Sequence, residues 1–242
     1  MNKNNIALII GGTGAIGNAI AEQLKQNGFL NIVQLSRSSH PNIELTDENT
    51  IRDASLFIKN KATPLCLIFD ATGILHSAET NQMPEKTYKN IDINFMKKNF
   101  EINTFGPALL MKYFLPLLDS ETKSVFASLS AKVGSIEDNK YGGWYSYRAS
   151  KAALNQFIKT ASIELAMKNK KAICVAVHPG TVTSNLSKPF QKTDLKIQSP
   201  QESAKNILKV ILNLNVQNTG SFYNWCSCAG WEGGRRRSGR SR

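Results

Sequence analysis

The stretch "IALIIGGTGAIGNAIAEQLKQ", residues 6–26, decides the architecture. Five apolar residues, three of them β-branched, come first, and turn residues follow at once. That is the pattern of a buried strand over 6–10. From Ala15 to Gln26 the apolar positions recur at helical spacing, so a helix follows within five residues of the strand. The seven residues "GGTGAIG" at 11–17, covering the turn and the opening of the helix, contain four glycines. Glycines there let the backbone turn sharply and approach a pyrophosphate, and the opening of the helix supplies N–H donors and a positive dipole end. A glycine-rich turn without a ligand is the bland alternative. The placement, after a strand and opening a helix, favours a dinucleotide.

The alternation continues outward from this unit. Strands are expected at 31–36 ("NIVQLS"), 43–45 ("IEL"), 64–70 ("PLCLIFD"), 124–130 ("SVFASLS"), 172–179 ("AICVAVHP") and 220–225 ("GSFYNW"). Helices are expected from a cap at Thr46 or Asp47 to Lys59, from Tyr88 to Leu118, from Ser146 to Lys168, and from Pro200 to Leu212. Strand and helix in repeated succession imply a parallel sheet with helices on both faces. Right-handed crossovers make it doubly wound, with about seven strands. Ligands in such sheets bind beyond the carboxyl ends of the strands, so the residues just after each apolar run carry the information.

Composition sets the outer bounds. The chain has 242 residues, 41% of them hydrophobic and 20% charged, which suits one α/β domain with a core of its own. Four cysteines, Cys66, Cys174, Cys226 and Cys228, show no spacing of a disulfide framework or a zinc site. Cys66 and Cys174 lie inside apolar runs and read as buried thiols. The apolar N-terminal run is too short for a signal peptide, and no run approaches the length of a membrane span. The expectation is a cytoplasmic protein without a membrane partner. The formal net charge is +12, of which the last seventeen residues carry +4 through five arginines against one glutamate. The remaining lysines are spread along helices near acids. No basic stripe interleaved with aromatics is present, which argues against a nucleic-acid partner. The domain is expected to end at residue 225. Residues 226–242, "CSCAGWEGGRRRSGRSR", read as a basic low-complexity tail, disordered or foreign to the native chain.

The strand ends supply the candidate site. The second strand ends in "SRSS". Ser36 stands where an NAD site would place a carboxylate for the ribose diol, and Arg37 follows it. The fourth expected strand ends in "DATG", with Ala71, Thr72 and Gly73 small enough for a nucleoside to lie close. The fifth ends at Ser130, a cap or turn residue as readily as a catalyst. The sixth ends in "HPGTVTS", where Pro179 stiffens a loop and hydroxyls follow. His178 reads as structural rather than as a base. In "GGWYSYRASKAALN" (142–155), Tyr147 and Lys151 are four residues apart and share a helix face, whereas Tyr145 is turned away from Lys151. Alone, that pair is equally a solvated face with an accidental neighbour.

These pieces together resemble the short-chain dehydrogenase/reductase family. The resemblance covers nearly all of residues 5–225 and rests on "GGTGAIG", "DATG", "EINTFGPALL" around Asn103, Ser130, "YSYRASK" and "HPGTVTS". "SAKVGSIEDN", "GGWYSYRASKAALN" and "NTGSFYNW" are similar to its C-factor-like oxidoreductase branch. The resemblance implies a single Rossmann-type domain. It makes Tyr147 the catalytic tyrosine and Lys151 its partner, with Ser130 and Asn103 completing the set. It assigns Gly11, Thr13, Gly14, Ile16, Gly17, Ser36, Arg37, Ala71, Thr72, Gly73, Pro179, Thr181 and Thr183, with Tyr147 and Lys151, to the cofactor. Ala15 departs from the family by replacing its middle glycine, and Asp70 by replacing the first asparagine of the strand-end motif. The segment from Ser130 to Tyr147 is longer than usual, so a loop must fold out there.

The implied function is an NADP(H)-dependent oxidoreductase that interconverts a small carbonyl and an alcohol, with Tyr147 as general acid and base. Lys151 at i+4 would lower the phenol's pKa from near 10 by up to about three units. Asn103 would anchor a water that resupplies the proton. Ser36 in place of an acid, with Arg37 after it, favours NADP(H) over NAD(H). Residues 184–199 would form a mobile lid, with Trp144, Leu186 and Phe190 as candidate pocket walls. The helices at 88–118 and 146–168 would assemble a homodimer or homotetramer. The alternative is a nucleotide-binding sensor or signalling protein of the same fold with little turnover.

Overall fold

The computed structural model describes residues 1–77, 81–184, 187–190 and 197–225. The expected tail lies outside the described residues, as does Leu186. In chain order the main elements are β1 (Ile6–Ile10), α1 (Ala15–Gln26), β2 (Asn31–Leu35), α2 (Glu48–Lys59), β3 (Leu65–Asp70), α3 (Ile93–Phe100), α4 (Gly106–Phe114), β4 (Ser124–Leu129), α5 (Tyr145–Lys168), β5 (Ala172–His178), β6 (Thr181–Val182), β7 (Ile197–Gln198), α6 (Pro200–Asn213) and β8 (Phe222–Asn224).

Six strands form one sheet in the order β2-β1-β3-β4-β5-β8, and every pairing in it is parallel. Strands β1, β3 and β4 are buried along their whole length, as their unbroken apolar runs require. One face of the sheet packs on α1 and α6, and the other on α2, α4 and α5. The chain leaves β1 towards β2 on one side and reaches β3 on the other, so the strand order reverses at β1. The crevice that doubly wound sheets use for ligands therefore opens over the carboxyl ends of β1 and β3.

Two expectations are corrected. Residues 43–45 form no strand. Ile43 and Leu45 are still buried, because Gly106 at the start of α4 packs so closely on Leu45 that a Cβ there would lie 2.7 Å from the Leu45 Cβ. The burial that a strand would have supplied is met by side-chain packing alone, and the sheet has six strands. The single long helix expected at 88–118 is divided. A 3-10 turn holds Tyr88–Asn90, and Asp92 caps α3 by accepting from the Phe95 N–H at 2.8 Å. A π-helical turn, Glu101–Phe105, then joins α3 to α4. Other boundaries hold to within two residues. Asp47 caps α2 and Ser199 forms a capping box with Glu202 at α6.

Candidate active site

The glycine turn after β1 is built as a cradle. Gly11 adopts φ +78° and donates its N–H to the Leu35 carbonyl at 2.9 Å. A Cβ at Gly17 would run into the Gly11 carbonyl, so only glycine lets α1 begin this close to the turn. Gln34 braces the turn from β2, its amide donating to the Gly12 carbonyl at 3.0 Å. Gly14 stands at the N-cap of α1 and brings no side chain to the first N–H groups. Thr13, Gly14 and Ala15 are exposed at the mouth of the crevice, and Ile16 packs against the core below it. Beside them Ser36 is buried, its Oγ 3.2 Å from that of Ser38, while Arg37 is exposed.

At the end of β3, Asp70 is fully buried. Its Oδ1 accepts from the N–H and hydroxyl of Thr72 at 3.0 and 2.5 Å, and its Oδ2 accepts from the Ser128 hydroxyl at 2.6 Å. Burial still raises its pKa above the usual carboxylate value, against the opposing effects of those hydrogen bonds and the charge of Lys151. This network fixes the turn that presents Ala71, Thr72 and Gly73.

Asn103 lies in the π-helical turn, which aims its side chain back at that strand end. Its Oδ1 accepts from the Ile74 N–H at 2.8 Å and its Nδ2 donates to the Ile74 carbonyl at 2.9 Å. The same amide reaches Asn99 at 3.3 Å and Ser150 at 3.2 Å, so its carboxamide is committed to holding backbone and helix α5. Thr104 adds a bond to the Ser150 carbonyl at 2.9 Å.

Helix α5 brings in the rest. Asn103, Ser130 and Lys151 are 0%, 3% and 3% exposed, and Tyr147 is buried beside Leu75 and Ala131. Lys151 Nζ donates to the Leu129 carbonyl at 2.9 Å. A Cβ on Gly73 would sit 3.2 Å from Asn103 Oδ1 and 3.4 Å from Lys151 Nζ, which shows how tightly these three residues converge. Gly134 makes the convergence possible from the other side: a Cβ there would lie 2.9 Å from the Lys151 carbonyl carbon. The Ser130 hydroxyl donates to Asn155 Oδ1 at 2.6 Å.

Electrostatics differ from the expectation drawn from spacing. Burial pushes the Tyr147 phenol up, not down. Burial also pushes Lys151 down to about 8, against the raising effect of Asp70. Desolvation dominates both shifts because both groups are buried away from water. His178 is likewise pushed down to about 4, first by burial and then by the charge of Lys132, and its Nδ1 is buried without a partner. That neutral imidazole agrees with its reading as a structural residue.

The loop after β5 is stapled down. The Pro179 carbonyl accepts from Gln198 at 3.2 Å and from Ser203 at 2.9 Å, and a Cβ on Gly180 would lie 2.7 Å from the Trp225 indole nitrogen. Thr181 is half-buried in β6, and Thr183 is exposed and donates its N–H to the Gln198 carbonyl at 2.9 Å. The long segment between Ser130 and Tyr147 does fold outward, leaving Ile136 and Tyr141 84% and 96% exposed. Arg148 ties its return to α5 through the carbonyls of Gly143, Val133 and Gly142 at 3.0, 3.3 and 3.2 Å.

Sequence reading missed three residues here. Asn155 lies one turn beyond Lys151 on the same face, a signal present in the spacing. Glu85 and Gly134 gave no local signal; Glu85 reaches Ser146 across 61 residues of chain.

Residues 5–195 match the family described as short chain dehydrogenase. The chain belongs to the short-chain dehydrogenase family. The 1-hydroxy-2-glutathionyl-2-methyl-3-butene dehydrogenase of Rhodococcus sp. is 26% identical over 225 residues, covering 89% of this chain and 94% of that protein. The C-signal protein of Myxococcus xanthus is 32% identical over 136 residues, covering 56% of this chain and 78% of that one. The NADPH-bound carbonyl reductase from chicken fatty liver superposes with a TM-score of 0.79 at 25% identity, covering 92% of this chain and 96% of its own. Among the described residues of this family member, no helix is long and apolar enough to cross a membrane.

Proposed function

We propose that the protein is an NADP(H)-dependent carbonyl reductase working through Asn103, Ser130, Tyr147 and Lys151. The observation that carries this reading is the burial of all four polar side chains together, beyond the strand ends and next to the glycine cradle. Burying a lysine and three hydrogen-bonding groups is costly, and such arrangements concentrate at functional sites. The solved carbonyl reductase with bound NADPH supports the cofactor class.

The residues present fit a dinucleotide. The cradle at Gly11, Gly14 and Gly17 admits a pyrophosphate at the start of α1, and Gly73 leaves room beside Lys151 and Asn103. Arg37, exposed beside Ser36, Ser38 and Ser39, would pair with a 2′-phosphate. Thr181 and Thr183 would hold the carboxamide. When bound, the dinucleotide supplies or accepts the hydride.

The remaining chemistry belongs to the side chains. A phenol whose pKa burial has raised stays protonated at neutral pH, so Tyr147 is loaded as an acid for reduction. An alkoxide is a stronger base than a phenolate, so the transfer from Tyr147 still runs downhill. Lys151, charged below about pH 8, would steady the phenolate left behind. Ser130, oriented by Asn155, would share the developing charge on the carbonyl oxygen. Exposed apolar residues of the π-helical turn and of α5, Phe105, Phe157 and Ile163, support assembly into a homodimer or homotetramer. We read residues 1–225 as the working domain, 226–242 as an appendage outside it, and the cytoplasm as its place.

Titrating the protein with NADPH and NADH and following their oxidation over a panel of ketones and aldehydes tests the reading. Saturable cofactor binding with turnover of some carbonyl is expected. Binding without turnover on any carbonyl would favour the sensor alternative, and no binding would remove both.

A further inference from the structure

Asp70 stands at the last position of β3, where the family's strand-end motif has an uncharged asparagine, and it is fully buried. Burying a carboxylate is costly unless donors surround it. Three donors do so here. The Thr72 N–H and hydroxyl reach Oδ1 at 3.0 and 2.5 Å, and the Ser128 hydroxyl reaches Oδ2 at 2.6 Å. An ionised carboxylate only accepts, and O–H···O⁻ bonds of about 2.5–2.7 Å are the charge-assisted kind. Both oxygens are therefore furnished for an anion, and an anion this deep calls for a cation nearby.

Lys151 is that cation. Asp70 and Ser128 are register partners in β3 and β4, so their backbones are one strand spacing, about 4.8 Å, apart. The residue after Ser128 is Leu129, whose carbonyl accepts from Lys151 Nζ at 2.9 Å. Three residues beyond Asp70, Gly73 comes so close that a Cβ on it would lie 3.4 Å from Lys151 Nζ. The ammonium is bracketed by the two strand ends that Asp70 ties together. Its other neighbours carry no charge. The π-helical turn contributes Asn103, and the end of β4 contributes Ser128 and Ser130. Tyr147, one turn back on α5, keeps its proton because burial raises its pKa. His178, at the end of β5, is neutral because burial and then Lys132 push it down to about 4. Lys132 itself pairs with Asp138 at 3.3 Å, and Arg148 commits its guanidinium to the carbonyls of Gly143, Val133 and Gly142. Asp70 is the charge that acts on Lys151, opposing the burial that lowers its pKa, and Lys151 acts on Asp70 in return.

We propose that Asp70 is a positioning residue for the chemistry, a buried counter-charge that keeps Lys151 in its ammonium form beside Tyr147. The proposal rests on the reading of Lys151 as the cation that steadies the Tyr147 phenolate, and deepens it by naming what holds that cation charged. Thr72 and Ser128 act one step further out, by keeping Asp70 ionised. Removing a nearby opposite charge moves a pKa by about 1–3 units. Asp70 acts on Lys151 without a hydrogen bond between them, so the lower end of that range, roughly one unit, is expected. Asparagine at position 70 would fill the same space and leave Lys151 with desolvation alone, and so with a smaller charged fraction at neutral pH.

The test compares the full chain with its Asp70→Asn variant, which keeps an acceptor for Thr72 and a partner for the Ser128 hydroxyl while removing the charge. In protein made with isotope-labelled lysine, the Lys151 Cε signal in carbon NMR reports ionisation without cofactor or substrate, and Lys151→Met assigns it by its absence. It should titrate near pH 8 in wild type and roughly one unit lower in Asp70→Asn. In NADPH-dependent carbonyl reduction, the alkaline limb of kcat/KM should move down by the same amount, with the smallest loss of activity at acid pH. A Lys151 signal that does not move, with activity lost equally at every pH, would show that Asp70 only holds the turn and would overturn the proposal. Reciprocity gives a check that does not need Asp70→Asn to fold. In Lys151→Met the Asp70 carboxyl carbon should titrate higher than in wild type by the same roughly one unit. A wild-type Asp70 carbon already in its protonated form at neutral pH, or one unmoved by Lys151→Met, would also overturn it. Both NMR shifts without turnover on any carbonyl would leave the charge pair standing while the reductase reading falls, and turnover without either shift would do the reverse.

Discussion

Replacing Lys151 with methionine should make the protein more stable at neutral pH while removing its turnover. The lysine is buried, and its pKa falls from 10.5 to about 8. At about 1.4 kcal/mol per pH unit, keeping the ammonium charged in the folded state costs on the order of 3 kcal/mol. Methionine has a similar length and fills the space without a charge. Two losses offset the gain. The Leu129 carbonyl forfeits its 2.9 Å partner, at roughly 1 kcal/mol, and Asp70 loses a stabilising cation. The expected net gain at pH 7 is on the order of 1–2 kcal/mol. The pH dependence identifies the source. A folded pKa below the unfolded one means that the unfolded chain binds more protons between pH 8 and 10.5. The penalty is therefore complete below about pH 8, and wild-type stability should rise from there towards pH 10 relative to the variant. Urea unfolding of both proteins at pH 7 and pH 9.5 measures this. A variant that is less stable at pH 7, or a difference that does not narrow at pH 9.5, would refute the account of Lys151 as a desolvated cation kept for function at a cost in stability.

Tyr147→Phe should reduce hydride transfer by at least about a hundredfold with cofactor affinity nearly unchanged, and Tyr145→Phe should be mild; steady-state kinetics with a fluorescence titration of NADPH checks both. Arg37→Ala should erase a wild-type preference for NADPH over NADH of roughly ten- to a hundredfold, and equal dissociation constants in wild type would sink that role for Arg37. Gly17→Ala places a methyl against the Gly11 carbonyl, so it should lower stability by about 1–3 kcal/mol and abolish cofactor binding, read by thermal unfolding with and without NADPH.

Short-range regularities were enough for much of this protein. Alternating apolar runs fixed the α/β class, because periods of two and 3.6 arise from backbone geometry alone. The glycine turn was legible because only glycine fits where Gly17 meets Gly11, and the Tyr147–Lys151 pair because four residues make about one helical turn. Tertiary packing decided what depends on distant partners. Residues 43–45 have strand-like composition, yet Leu45 is buried by Gly106 instead of by a neighbouring strand. Asn103 is aimed by a π-helical turn at Ile74, 29 residues away, and Ser130 by Asn155, 25 residues away. Spacing suggested that Lys151 would lower the Tyr147 pKa, but burial raises it. Desolvation depends on everything packed around a group, and that surrounding is assembled from across the chain, so no local stretch of sequence encodes it.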